Sequence, residues 1–203
     1  MVRRTKEAAL ETREQILDAA EWCFRTQGTS GATLDMIAQR AHCTRGAIYW
    51  HFREPSDILQ AVLERGQWSL LDQLEALTYC QRDVLVNLRA CLMRCLHEVQ
   101  VNTSKRYSLE ILAYRCDFSR DHAKFLALQR EDIAHMMKLL SLLMEHAKER
   151  GELREGLSCP SAASLIGYAL VGGLRVHLMH PDVIDIKHSV MSGLDVAFSA
   201  IES

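Results

Sequence analysis

TRGAIYWHF, Thr44 to Phe52, sets a hydroxyl, a guanidinium, three aromatics and a histidine around one glycine. A helix starting at Thr44 would turn Ala47, Ile48 and Phe52 inward. It would leave Arg45, Gly46, Tyr49, Trp50 and His51 largely outside. Large aromatics left in water beside a cation need a partner. Immediately upstream, TLDMIAQR has Thr33 as a candidate N-cap, with Leu34, Ile37 and Ala38 on an inner face. Ala41-His42-Cys43 is read as a tight turn between the two segments. Two short helices joined by such a turn make a helix-turn-helix, whose second helix suits the DNA major groove. Arg45, near its start, can donate two hydrogen bonds to guanine. Thr33, Thr44, Tyr49 and His51 are candidate phosphate ligands, and Gly46, Trp50 and Arg53 complete the candidate DNA surface.

Further upstream, residues 10–27 read as an amphipathic helix with Ile16, Leu17, Ala20, Cys23 and Phe24 inside. Thr12 is a candidate cap and Gly28 the stop. Arg3, Arg4 and Lys6 precede it and are expected to form a basic arm. Downstream, helices are expected over 56–78, 83–101, 104–117, 121–150, 161–179 and 184–201. Three prolines and ten glycines in 203 residues leave little room for turns, which favours an all-α fold over a β architecture. With net charge −2, the protein reads as a mildly basic head on an acidic body. No apolar run of membrane-spanning length and no export signal are read, so no membrane is expected as a partner and a cytoplasmic address is expected. Seven cysteines without a C-x-x-C pair read as free thiols.

Thr12 to Leu59 resembles the DNA-binding domain of TetR-type transcriptional regulators. The resemblance rests on T-R-x-x-I-L-x-A-A from Thr12, F-x-x-x-G from Phe24, T-L-x-x-I-A-x-x-A from Thr33 and T-R-G-A-I-Y-x-H-F from Thr44. YWHFREPSDI and SLEILAYRCDF extend the likeness toward the AcrR-like multidrug-efflux branch. The resemblance implies a homodimeric repressor, with residues 1–55 reading a palindromic operator and residues 56–203 binding ligand and dimerising. It implies about nine helices, and a small amphipathic or aromatic effector that swings the fourth helix and spoils the spacing of the two heads. Two positions depart from the family pattern. His42 stands where glycine is usual, and Pro55 where a phosphate-binding lysine is usual.

The candidate effector pocket takes Gln67, Trp68 and Leu71 from the fourth expected helix. It takes Glu110, Tyr114 and Phe118 from the sixth, and Phe125, Gln129, Asp132 and Met136 from the seventh. The homodimer is expected through the last two helices. Ala163, Gly167 and Gly172 would permit close approach there, with Ile186, Val190, Leu194, Ala197 and Ile201 as an apolar stripe. No cofactor is expected. No P-loop, dinucleotide fingerprint or G-x-S-x-G elbow points to an enzyme. The alternative reading is a redox- or metal-responsive regulator, using Cys43 or a cluster among Cys91, Cys95, His97, His122, His177 and His180.

Overall fold

The computed structural model describes residues 2–80, 82–116 and 123–203, with side chains from Glu7 and, after the last break, from Phe125. Among the described residues the regular structure is helical, apart from a single antiparallel bridge between Leu153 and Glu202. The helices are α1 Val2–Gln27, α2 Leu34–Arg40, α3 Arg45–His51, α4 Pro55–Arg65, α5 Leu70–Leu77, α6 Val84–Val101, α7 Thr103–Glu110, α8 Ala123–Glu149, α9 Cys159–Met179 and α10 Ser192–Ile201. A π-helical turn, Ile111–Arg115, continues α7, and another, Ile186–Met191, leads into α10. The chain forms two compact units, residues 1–67 with 104–126, and residues 68–103 with 127–203.

In the first unit α1 packs against α2, α3, α4 and the π turn after α7. Its core is the face expected from the 3.6-residue period: Ile16, Leu17, Ala20, Cys23 and Phe24 meet Ile37, Ile48, Phe52, Ile58, Leu59 and Val62, with Ile111 and Phe125 added from the later segments. Each isoleucine, leucine, valine or phenylalanine among them contributes roughly 1.5–3 kcal/mol on burial. Thr33 caps α2 by accepting the Met36 N–H at 3.3 Å, and Thr44 caps α3 by accepting the Ala47 N–H at 3.2 Å. Gly28 ends α1 at φ +76°, where a Cβ is disfavoured. His42 holds φ +51° in the turn between α2 and α3, a conformation costing an ordinary L-residue about 1–2 kcal/mol.

Three local expectations need correction here. α1 begins at Val2, so Arg3, Arg4 and Lys6 stand on the helix rather than on an arm ahead of it. Their side chains lie outside the described residues. Apart from Thr12, the run KEAALETRE is made of strong helix formers, and its lack of an apolar stripe hid it. Thr12 is therefore inside the helix, and its hydroxyl donates to the Ala8 carbonyl at 2.9 Å instead of capping. The expected helix 56–78 divides at Gly66, giving ten α-helices among the described residues. A Cβ on Gly66 would collide with the Ser108 side chain, so close packing of α4 on α7 requires glycine where a continuous helix disfavours it.

In the second unit α5 packs on α6, and α10 on α9 and α6. Leu74, Leu88, Leu92, Leu96, Leu140, Leu143, Ile166, Leu170, Phe198 and Ile201 are buried. Asp83 offers no side-chain cap to α6. Glu152 supplies it from sixty-odd residues away, its two carboxylate oxygens accepting the Val84 and Leu85 N–H groups at 3.0 and 2.9 Å. Arg89 on α6 pairs with Asp195 on α10 at 2.8 Å. α9 is long and apolar enough to cross a membrane by length and composition, with mean hydropathy 1.4 over its most apolar 18 residues, although Ser164, Arg175 and His177 leave it no unbroken apolar run of that length. Nine of its residues are buried inside the unit, the pattern of a core helix.

Candidate nucleic-acid interface

The α3 cap fixes which side chains face outward. Ile48 and Phe52 are buried, while Arg45, Gly46, Tyr49 and Trp50 are exposed, Trp50 at 73%. Arg45 hydrogen-bonds Tyr49 and leans on Asp35 of α2 at 3.5 Å; Tyr49 first, and then the Asp35 charge, hold its guanidinium more firmly charged. The Asp35 pair is exposed, so its attraction is weak and a phosphate or base edge can replace it. His51 sits edge-on to Trp50 at 4.6 Å between ring centres. Partial burial, and then the Arg13 charge, push its pKa down, so at neutral pH it offers a hydrogen bond rather than a charge. Arg13 lies over the Phe52 ring at 5.3 Å. The Thr33 and Thr44 oxygens are committed to the caps, which leaves each hydroxyl hydrogen able to donate to a phosphate. Arg53 is exposed just before α4, where Asp57 accepts the Arg53 and Glu54 N–H groups at 3.1 and 3.0 Å. Pro55 occupies the first helical position, which suits its fixed φ.

Thus α3 brings Arg45, Tyr49, Trp50 and His51 together, while Thr33 and Arg53 stand on flanking elements. Sequence reasoning missed Asp35 as the Arg45 partner and Arg13 beside His51. It also missed an open cavity of about 340 Å³ lined by Trp22, Cys23, Met36, Gln39, Arg40 and His42, where the Arg40 guanidinium stacks 3.8 Å over Trp22. None of these follows from a helical period, because each depends on which faces of α1, α2 and α3 meet.

The candidate effector residues divide between the units. In the first, Gln67 is exposed and Tyr114 half-buried. The Glu110 carboxylate accepts from Arg25 at 3.0 Å, and Arg25 also lies 3.3 Å over the Tyr107 ring. Phe125 belongs to the core of that unit. Phe118 and His122 lie outside the described residues. In the second, Trp68 donates from Nε1 to the Cys95 carbonyl at 3.2 Å, Leu71 and Gln129 are half-buried, Asp132 is exposed and Met136 is buried. Burial still raises the Asp132 pKa.

The expected dimer stripe is spent inside the subunit. Ile186, Val190, Leu194, Ala197 and Ile201 are buried, and so are Ala163 and Gly167, the latter against Met137 of α8. Amphipathic periodicity reports a buried face without saying whose surface covers it. Only Gly172 of the three small residues opens to solvent. The outer face of α9 carries Leu165, Tyr168, Val176 and Met179 at helical spacing, all exposed, and α10 adds Val196 at 71% exposure. Because α9 is apolar nearly all round, that second face was legible in the sequence but masked by the first.

Cys43 is half-buried against the core of the first unit, and burial pushes its thiol up, away from the reactive thiolate. Among the described residues no group of three or more His, Cys, Asp or Glu side chains is placed to hold a metal ion. His177 is buried with Nδ1 2.6 Å from the Ile184 carbonyl, and His97 and His180 are exposed.

Comparison with known proteins places this geometry. Residues 16–62 match the profile of bacterial regulatory proteins of the tetR family, and residues 83–201 match the C-terminal region of MAATS-type transcriptional repressors. The chain is 34% identical over 204 residues to the transcriptional regulator TtgR of Pseudomonas putida, covering 99% of this chain and 96% of TtgR. It is 31% identical over 188 residues to AcrR of Shigella flexneri, covering 92% and 87%. SmeT, the repressor of the Stenotrophomonas maltophilia multidrug efflux pump SmeDEF, superposes with TM-score 0.74 at 32% identity over 94% of this chain and 90% of SmeT. A SmeT–triclosan complex superposes with TM-score 0.77 at 33% identity over 95% and 92%. The chain belongs to the tetR family of transcriptional regulators.

Proposed function

We propose that this regulator is a cytoplasmic repressor of a multidrug efflux transporter. It binds a palindromic operator as a homodimer and leaves it when a small amphipathic or aromatic effector binds. Residues 1–55 read the DNA, and residues 56–203 take the effector and dimerise. The observation that carries the reading is the exposed strip of Arg45, Tyr49 and Trp50 on a capped α3 in a helix-turn-helix. Arg45 reads a guanine edge; Thr33, Thr44, Gly46, Tyr49, His51 and Arg53 hold phosphates, and Trp50 packs on the backbone. The kinship with SmeT, a multidrug efflux pump repressor whose complex with triclosan was also solved, supports an efflux promoter and an aromatic effector.

Gln67, Trp68, Leu71, Tyr114, Phe118, Gln129 and Met136 are the effector residues. Glu110 joins them for a cationic ligand, which then has to displace Arg25 from its carboxylate. That competition supplies a route to the head. Arg25 belongs to α1, and the neighbouring Thr29 donates from its backbone N–H and its hydroxyl to the Arg115 carbonyl at 2.9 and 3.1 Å. Moving the α7 segment therefore pulls on the end of α1. The outer face of α9 and α10 is the dimer surface: Leu165, Tyr168, Val176, Met179 and Val196 are too apolar to stand in water without a partner. Two-fold pairing then sets the heads on successive major grooves, about 34 Å apart.

The test is an electrophoretic mobility shift on DNA upstream of the protein's own gene. Wild type is expected to give a sequence-specific shift that Arg45→Ala and Tyr49→Ala each abolish while remaining folded. A specific shift that survives both substitutions would reject α3 as the reading helix.

A further inference from the structure

Cys91 and Cys95 lie one turn apart on α6, both wholly shielded from solvent. Their thiols are hydrogen-bonded to each other, and the Cys91 Sγ also donates to Gln73 Oε1 on α5 at 3.8 Å. The hydrogen bond from Cys95 makes Cys91 the easier of the two to deprotonate and Cys95 the harder. The pair is thus a nucleophile with a second thiol held beside it. It contributes nothing to DNA reading or to the dimer surface.

Three chemistries could use two adjacent thiols. Oxidation to a disulfide is opposed by geometry. Helical i,i+4 Cβ atoms stand about 5–6 Å apart, and a disulfide needs roughly 3.5–4.5 Å, so the α6 backbone would have to yield. A tetrahedral metal is opposed by ligand number, since no third or fourth donor of the usual kind joins the pair among the described residues. A bridging atom that accepts two sulfurs at a bent angle meets neither objection. Two thiols side by side on one helix face, one turn apart, suit a bent bridge better than the linear coordination of mercury.

We propose that Cys91 and Cys95 form a binding site for trivalent arsenicals carrying one organic group. Such a compound, R–As(OH)2, has two exchangeable positions. The Cys91 sulfur displaces the first hydroxide and the Cys95 sulfur the second. Two As–S bonds form, two As–O bonds break, the two thiol protons leave with the hydroxides as two waters, and arsenic stays trivalent. No oxidant or reductant takes part. The second bond closes within one helix face, so the effective concentration of the second thiol is high and the chelate outlasts capture by any single thiol. Soft thiolates suit this thiophilic element. Because both sulfurs are shielded, capture follows opening of the seam between α6 and the eight-residue α5. This site goes beyond the repressor reading and does not depend on it.

The experiment treats the full, reduced protein with phenylarsine oxide in excess glutathione and follows it by intact-protein mass spectrometry. One stable phenylarsenic adduct per chain is expected, reversed by a dithiol such as dimercaptopropanol. Its lifetime against glutathione should fall about tenfold or more in Cys91→Ser and in Cys95→Ser. Trypsin cuts after Arg89, Arg94 and Lys105, so the wild-type adduct should join peptides 90–94 and 95–105. That linkage identifies the site without any variant. Absence of a glutathione-resistant adduct on the folded protein, or a linkage between other cysteines, overturns the proposal.

Discussion

Gly66 and His42 show how much single residues settle here. At Gly66 a methyl group would run into the Ser108 side chain, whose hydroxyl already donates to the Val62 carbonyl at 3.0 Å. Gly66→Ala must therefore push α4 and α7 apart or twist one of them, and overpacking of this kind costs about 1–3 kcal/mol. A urea titration should show that loss, and unchanged stability would mean the contact relaxes freely. His42 keeps a left-handed turn without glycine, and histidine is among the residues that tolerate it. The departure from the family pattern at this position therefore leaves the turn itself in place. Both positions could be flagged from sequence, Gly66 as a weak point in a helix and His42 as an unusual turn residue. What each does there needed the neighbouring chain.

At the scale of elements, α1 and α4 are joined by charge as well as by apolar packing. Arg65 reaches Asp18 at 2.6 Å and Glu21 at 2.8 Å, with Glu14 at 3.5 Å. Glu21 is nearly buried, and burial outweighs Arg65 in raising its pKa above 4.5. A carboxyl with a raised folded-state pKa contributes stability that is present below the unfolded value and lost as pH rises through the folded one. Wild type should therefore lose stability relative to Glu21→Gln as pH climbs from about 4.5 toward neutrality. Urea midpoints measured across that range check the sign, and a difference that stays level or moves the other way would show that Arg65 dominates. The α1, α2 and α3 periods and the Thr33 cap were legible in the sequence because capping and amphipathicity are local, whereas Thr44 was read as a phosphate ligand at the helix start and not as the cap it forms. The Arg65 cluster, the Glu152 cap on α6 and the Arg25–Glu110 pair were not, since each joins residues 44 or more positions apart.

For the whole molecule the decisive surface is the outer face of α9. Replacing Tyr168, 70% exposed, with glutamate would place a charge in the proposed interface while touching no core contact. Tyr168→Glu should remain folded and run as a monomer in sedimentation at micromolar concentration, and its operator affinity should fall with it. A variant of dimeric mass would move the interface elsewhere. The sequence by itself determined the all-α class, the helix-turn-helix and the exposed strip of Arg45, Tyr49 and Trp50, because those follow from spacing, caps and the pattern of aromatic and basic residues within one short helix. Only the tertiary structure decided which apolar stripe each C-terminal helix buries, that Gly167 meets α8 and not a second subunit, and that the Glu110 carboxylate is held by Arg25. The physical reason is that periodicity records that a face is covered, whereas the identity of the cover depends on contacts between residues distant along the chain.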